Sequence, residues 1–269
     1  MESYKLWNED YAVGTPPLMH RYSPKVKRGP GAVIIFTGGA YARRAPHEAE
    51  PYALRLNDMG IEAFVVDYDV APYGHPVQLG QARRAVQTVR HNAERWGIHK
   101  DKIAVMGSSA GGHLAALCAT SRERFIYPSP DEIDLTDYRP NGQILCYPVT
   151  DETSHGGSYE NLIGRKRMRA YKAKEVDPIR LCDPDTPPAF IWHTSSDPAV
   201  DVKGSYRYAS RLSEVGVAVE MHIYPVGGHG LGLANGLYDR AVEEYVQVWP
   251  RDLEHWLTLM GWISESGDK

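Results

Sequence analysis

At 269 residues the chain suits one large α/β domain, of a size that buries about 75% of the surface exposed on unfolding. An apolar fraction of 42%, a charged fraction of 24% and a formal net charge of −4 fit an ordinary globular protein and give no electrostatic case for nucleic acid or an anionic membrane as partner. No stretch approaches the roughly 18 uninterrupted apolar residues of a membrane span, and MESYKLWNEDYAVG lacks a basic region followed by an apolar one, so the cytoplasm is the default expectation.

Residues 1–30 are polar and broken by Pro16, Pro17, Pro24 and Pro30, which suits an edge hairpin or an irregular lead-in. Ala32–Phe36 (AVIIF), bounded by Gly31 and by Gly38-Gly39, reads as a fully buried strand. Pro46 opens a predicted helix that ends at Gly60, and 61–66 supplies the next strand. Between Pro76 and Trp96, Ala82, Ala85, Val86, Val89, Ala93 and Trp96 line up on one helical stripe, with Arg83, Arg84, Arg90, Glu94 and Arg95 off it. A strand at 102–106 leads into GSSAGGHLAALCAT, whose second half reads as helix. Strands at 142–147, 189–192 and 218–224 and helices at 203–215 and 238–259 complete the series.

Strands alternating with helices imply an α/β fold with right-handed crossovers and a mostly parallel sheet covered on both faces. The stretches 121–141 and 151–188, rich in Pro, charge and turn residues, exceed ordinary connections and read as lid or substrate-wall insertions in a single domain. Cys118, Cys146 and Cys182 are an odd, widely spaced set outside any CxxC pattern, which argues against a disulfide framework or a zinc site.

The sharpest local signal is Gly107-Ser108-Ser109-Ala110-Gly111, a G-x-S-x-G pattern directly after a strand and at the start of a helix. A turn that tight forces Ser109 into a strained backbone region, at a cost of about 1–3 kcal/mol, and small neighbours let it approach its surroundings. The serine hydroxyl then stands at the sheet's C-terminal edge, with the Ala110 N–H aimed at an oxygen that becomes negative during acyl transfer. The motif centres on Ser109 rather than Ser108.

A serine nucleophile needs a base and an orienting acid, and after such an elbow they follow in the order Asp or Glu, then His. His229, in VGGHGLGL beyond the strand that ends at Tyr224, is the expected base. His113 lies inside the elbow helix, His193 at a strand end and His222 within a strand, and all three are less well placed. Asp197, in HTSSDPAVD, is the expected acid, with Asp201 a competing carboxylate four residues on. Thr37-Gly38-Gly39-Ala40-Tyr41 is the glycine-rich loop expected to complete an oxyanion hole through the N–H groups of Gly39 and Ala40, alongside Ala110.

Together these segments resemble the esterase/lipase group of the α/β-hydrolase superfamily, and most closely its acetyl-xylan-esterase and feruloyl-esterase-like branch of small sugar-ester hydrolases. The matching stretches are TGGAY (37–41), HEAEPYALRL (47–56), IAVMGSSAGGHLAA (103–116), PPAFIWHTSSDPAV (187–200) and VEMHIYPVGGHGLGLA (219–234). The resemblance implies Ser109, Asp197 and His229 as the triad and Gly39, Ala40 and Ala110 as the oxyanion hole. Two departures stand out: Thr37 and Ala40 where the family reads P-G-G-G-Y, and His47 where it has Arg before Glu-Ala-Glu-Pro. HEAEP is not a zinc signature, because Pro51 replaces the second histidine.

The expected function is therefore a serine esterase acting on small, short-chain acyl esters, acetylated xylo-oligosaccharides among them, with no metal, nucleotide or organic cofactor. A longer-chain carboxylesterase, an arylformamidase, a peptidase, an acyltransferase or a non-catalytic binding protein on the same scaffold are the alternatives. The basic run Arg165-Lys166-Arg167-Met168-Arg169 reads as a solvated face that can also grip an acidic substituent. The sequence leaves the oligomeric state open.

Overall fold

Successive side chains of Ala32–Phe36 serve different cores, although all five residues are buried. Strand geometry sends alternate residues to opposite faces. Ala32, Ile34 and Phe36 join one apolar cluster, while Val33 and Ile35 join another. A strand apolar on both faces demands helices on both, and the computed structural model, which describes residues 1–7, 16–123, 131–164 and 172–265, supplies them.

The strands are β1 (Glu2–Lys5), β2 (Leu18–Tyr22), β3 (Ala32–Phe36), β4 (Glu62–Val66), β5 (Ile103–Ser108), β6 (Gly142–Cys146), β7 (Ala189–Thr194) and β8 (Val219–Tyr224). They form one eight-stranded sheet in the order β1-β2-β4-β3-β5-β6-β7-β8. β1 and β2 pair antiparallel, as do β2 and β4, and every other pairing is parallel. The helices are α1 (Glu50–Asp58), α2 (Val77–His91), α3 (Ala110–Thr120), α4 (Gly156–Ile163), α5 (Pro178–Leu181), α6 (Lys203–Glu214) and α7 (Trp249–Leu259). Residues of α2, α3 and α6 pack into the cluster on one face of the sheet, and residues of α1 and α7 into the cluster on the other. No helix among the described residues is long and apolar enough to cross a membrane.

Two boundaries depart from expectation for local reasons. The helix expected to reach Trp96 stops at His91, where the Asn92 side chain donates to the Thr88 carbonyl. Ala93 and Trp96 still reach the core, from a turn. The last helix begins at Trp249, with Pro250 in its first turn, rather than near 238. Tyr238 and Asp239 have left-handed φ of 56° and 58°, which no right-handed helix accommodates.

The α2 arginines are buried clamps. Arg84 is 1% exposed and meets Asp131 at 2.5 Å and Asp134 at 2.8 Å. Arg83 donates to the Ser121 carbonyl, and Arg90 to Asn141 Oδ1 and the Arg139 carbonyl. These bonds hold the described part of 121–141 against α2, and none of its residues lines the cleft beside Ser109. The basic run 165–169 lies outside the described residues.

Candidate active site

Strand β5 runs to Ser108, and the chain reverses into α3 within one residue. Ser109 makes that turn at φ 54°, ψ −120°. Only glycine fits around it: a Cβ on Gly107 would lie 2.1 Å from the Gly111 carbonyl oxygen, and one on Gly111 would lie 2.1 Å from the Phe36 oxygen. The strained turn is pinned on both sides, by Ser109 N–H to the Cys146 carbonyl and by Val149 N–H to the Ser109 carbonyl, each at 3.0 Å. Ser108 points away from the cleft, fully buried, and donates to the Tyr52 hydroxyl at 3.1 Å.

The structure brings Ser109, His229 and Asp197 into one hydrogen-bonded chain across 120 and 32 sequence positions. Ser109 Oγ lies 2.9 Å from His229 Nε2, and His229 Nδ1 lies 2.7 Å from Asp197 Oδ2. A carboxylate can only accept, so Nδ1 carries the proton and Nε2 is free to accept from the serine. Asp201 is exposed, and its Oδ1 accepts from Lys203 N–H at the start of α6, away from this chain of bonds.

Asp197 is held on all sides. Its Oδ1 accepts from Ala199 N–H at 2.8 Å and Val200 N–H at 2.9 Å, while Oδ2 also accepts from His193 Nε2 at 3.1 Å. Burial by itself would raise its pKa, but the hydrogen bonds from His193 and His229 prevail and hold the carboxyl well below the usual range. His193 is fully buried, and its other nitrogen accepts from Ser205 Oγ at 2.8 Å.

Beside Ser109 lies the loop after β3. Ala40 and Tyr41 have φ of 55° and 59°, following Gly39 at 123°. Holding non-glycine residues there costs roughly 1–2 kcal/mol each, so neighbours must anchor the loop. The Tyr41 hydroxyl donates to His113 Nδ1 at 2.7 Å, the Tyr41 carbonyl accepts from Ala71 N–H, and the Ala40 carbonyl accepts from Asn161 Nδ2 at 2.8 Å. The N–H groups of Gly39, Ala40 and Ala110 have no acceptor among the described residues, and Gly39 and Ala40 line the cleft beside Ser109. His113 is a wholly internal group, donating from Nε2 to the Val176 carbonyl at 2.7 Å, and burial pushes its pKa down to about 4.

Two further side chains, neither marked by the catalytic motifs, join the loops. Glu48, 2% exposed, accepts from Gly38 N–H at 2.6 Å and from the Tyr147 hydroxyl at 2.7 Å. The Tyr147 hydroxyl oxygen in turn accepts from Gly232 N–H at 3.0 Å. One carboxylate thereby ties the loop after β3 to the loop carrying His229. Glu48 sits in the HEAEP segment, but nothing in that string marks a partner 99 positions away.

The cleft has a volume of about 520 Å³, within the range of small-molecule sites. Ser109, His229, Gly39, Ala40, Arg43, His47, His155 and Arg240 are among its walls. Among the described residues, no group of three or more His, Cys, Asp or Glu side chains is arranged to hold a metal ion.

The profile of the BD-FAE family matches residues 19–212, from β2 to α6. The chain belongs to the BD-FAE family. An acetyl ester-xyloside bifunctional hydrolase from Caldicellulosiruptor lactoaceticus is 36% identical, with a TM-score of 0.88 over 98% of this chain and 97% of that one. Endo-1,4-beta-xylanase B of Butyrivibrio fibrisolvens is 32% identical over 85% of this chain, and an acetylxylan esterase of Xylanibacter ruminicola is 30% identical over 84%. The chain spans 37% and 45% of the lengths of these last two proteins. The sheet order and these likenesses make the fold of this BD-FAE member that of the α/β-hydrolases.

Proposed function

We propose that this BD-FAE member is a serine esterase that removes short acyl groups, acetyl foremost, from small sugar esters such as acetylated xylo-oligosaccharides. The observation that carries the reading is the chain Ser109–His229–Asp197 beside three N–H groups without acceptors among the described residues. The names of the relatives from Xylanibacter ruminicola and Caldicellulosiruptor lactoaceticus support the acetyl ester and the xylose-based alcohol.

In this mechanism Ser109 Oγ attacks the ester carbonyl carbon as His229 Nε2 takes its proton. The carbonyl oxygen becomes an oxyanion held by the N–H groups of Gly39 or Ala40 and Ala110, each donor lowering the barrier by about 2.7–4 kcal/mol. Collapse expels the alcohol, which leaves with the proton from His229, and the acyl group stays on Ser109. Water then attacks the acyl-enzyme, giving its proton to His229, and the carboxylic acid departs as Ser109 is restored. Asp197 remains ionised throughout and stabilises the imidazolium.

Hydrolysis of p-nitrophenyl acetate, butyrate and octanoate by wild type and Ser109→Ala tests the reading. Strong acetate preference with a loss on the order of 10⁴-fold or more in the variant is the expected result. Acetate release from acetylated xylo-oligosaccharides, in preference to polymeric xylan, then tests the alcohol. A Ser109→Ala protein as active as wild type contradicts the mechanism, and acyl transfer to added sugars with little free acid reassigns the chain to acyltransfer.

A further inference from the structure

The cleft beside Ser109 carries more hydrogen-bonding capacity than the acyl transfer uses. His47 is 4% exposed and lines that cleft, yet its Nε2 has no hydrogen-bond partner among the described residues. Glu48 Oε1 stands 3.4 Å away but is already engaged by the Tyr147 hydroxyl. A Cβ built on Gly230 would lie 3.9 Å from His47 Nε2 and 3.8 Å from an Arg240 guanidinium nitrogen, so both groups converge on the wall next to His229. Arg43 rises from the other wall, its Cγ 2.9 Å from where a Gly39 Cβ would be.

Neither Arg43 nor Arg240 meets a carboxylate among the described residues, although both line the cleft. Neighbouring Arg44 behaves differently, facing Asp67 at 3.4 Å and donating to the Tyr68 carbonyl. Glu48 is the cleft's one carboxylate among the described lining residues, and Gly38 and Tyr147 occupy it. Two guanidinium groups at one cleft with no carboxylate partner among the described residues run against the chain's net charge of −4. A guanidinium presents a planar fork of donors that matches a carboxylate.

We infer that Arg43, Arg240 and His47 form a subsite for a carboxylate on the alcohol part of the ester, so that acetyl esters of uronate-bearing oligosaccharides are the preferred substrates. This rests on the acetyl-ester reading, since an acetyl group has no place for the charge. Arg240 follows Tyr238 and Asp239, non-glycine residues that hold left-handed φ of 56° and 58°, a costly backbone kept where it presents this side chain to the cleft.

The test is calorimetric titration of two deacetylated xylo-oligosaccharides into Ser109→Ala, one neutral and one bearing a single glucuronate branch. The branched sugar is expected to bind at least about tenfold tighter at low salt, with the advantage shrinking at about 0.5 M NaCl. Adding Arg43→Gln and Arg240→Gln should bring the two sugars to within about twofold of each other, while Lys100→Gln, before β5 at the opposite end of the sheet, should preserve the difference. Equal affinities in Ser109→Ala, an advantage that survives both arginine changes, or no binding of the branched sugar at about 10 mM each overturn the subsite. Turnover of p-nitrophenyl acetate reports separately on the esterase reading, so the two fail independently.

Discussion

Two buried carboxylates work around one serine in different ways. Asp197 accepts four hydrogen bonds, two of them from histidines, and in the proposed mechanism it fixes where the His229 proton sits. Glu48 accepts from a backbone N–H and a phenol, and it holds the loop after β3 and the histidine loop in mutual register. The contrast separates positioning a proton from positioning a backbone. Both are buried carboxylates that need full hydrogen bonding, but only the first touches the group that moves protons in the proposed mechanism.

Asp197→Asn should break the first role outright. An amide can donate to Nδ1 and favour the wrong tautomer, so kcat on p-nitrophenyl acetate should fall by about 10⁴-fold with little change in melting temperature relative to that loss. A fall under tenfold would mean another group orients His229. Glu48→Ala should show the opposite signature. It leaves Gly38 N–H and the Tyr147 hydroxyl buried without an acceptor, at about 1–3 kcal/mol each, with a kcat loss of about 10²-fold as the loop after β3 relaxes. Glu48→Gln keeps one acceptor and should recover part of both. Chemical denaturation alongside kinetics checks the pair, and a Glu48→Ala protein of full stability contradicts the tying role.

The pH dependence of stability sharpens the comparison with a third buried group. Asp197 has a depressed folded pKa, so its contribution is complete above the unfolded value near 3.9 and is lost as pH falls toward the folded one. His113 is also depressed, from 6.5 to about 4, but as a base it acts in a different window. Between those values the unfolded chain takes a proton that the buried ring refuses, so stability drops as pH falls from about 6.5 to about 4, by about 3 kcal/mol at most. Denaturation at several pH values should show a flatter slope in that window for His113→Gln than for wild type. Identical slopes would remove His113 from the account.

The smallest effect belongs to Asp201. Its side chain accepts the Lys203 N–H at the start of α6, away from His229, so Asp201→Asn should leave kcat within about twofold and cost at most about 1 kcal/mol of stability. A large kcat loss would transfer the acid role away from Asp197.

These residues also show why part of the molecule could be read in advance and part could not. Strands with apolar residues on both faces, such as Ala32–Phe36, carry their own signature, and so does a serine caught between Gly107 and Gly111 at a strand's end. The α/β architecture and the grouping of Ser109, His229 and Asp197 follow from such local patterns and from chain order. What Glu48 and His193 do has no such local signature. Their roles come from what folding places beside them: Tyr147 for one, and Ser205 with a shared carboxylate oxygen for the other. The arginines of α2 teach the same lesson, since the buried Arg84 is met by Asp131, Asp134 and the Leu6 carbonyl, all distant in sequence.

The most direct test of the central claim is peptide mapping by mass spectrometry after exposure to a fluorophosphonate. A reactive Ser109 predicts one equivalent of adduct, confined to the peptide carrying Ser109 and lost in both Ser109→Ala and His229→Ala. No adduct, or one on Ser108 or another peptide, would contradict Ser109 as the nucleophile.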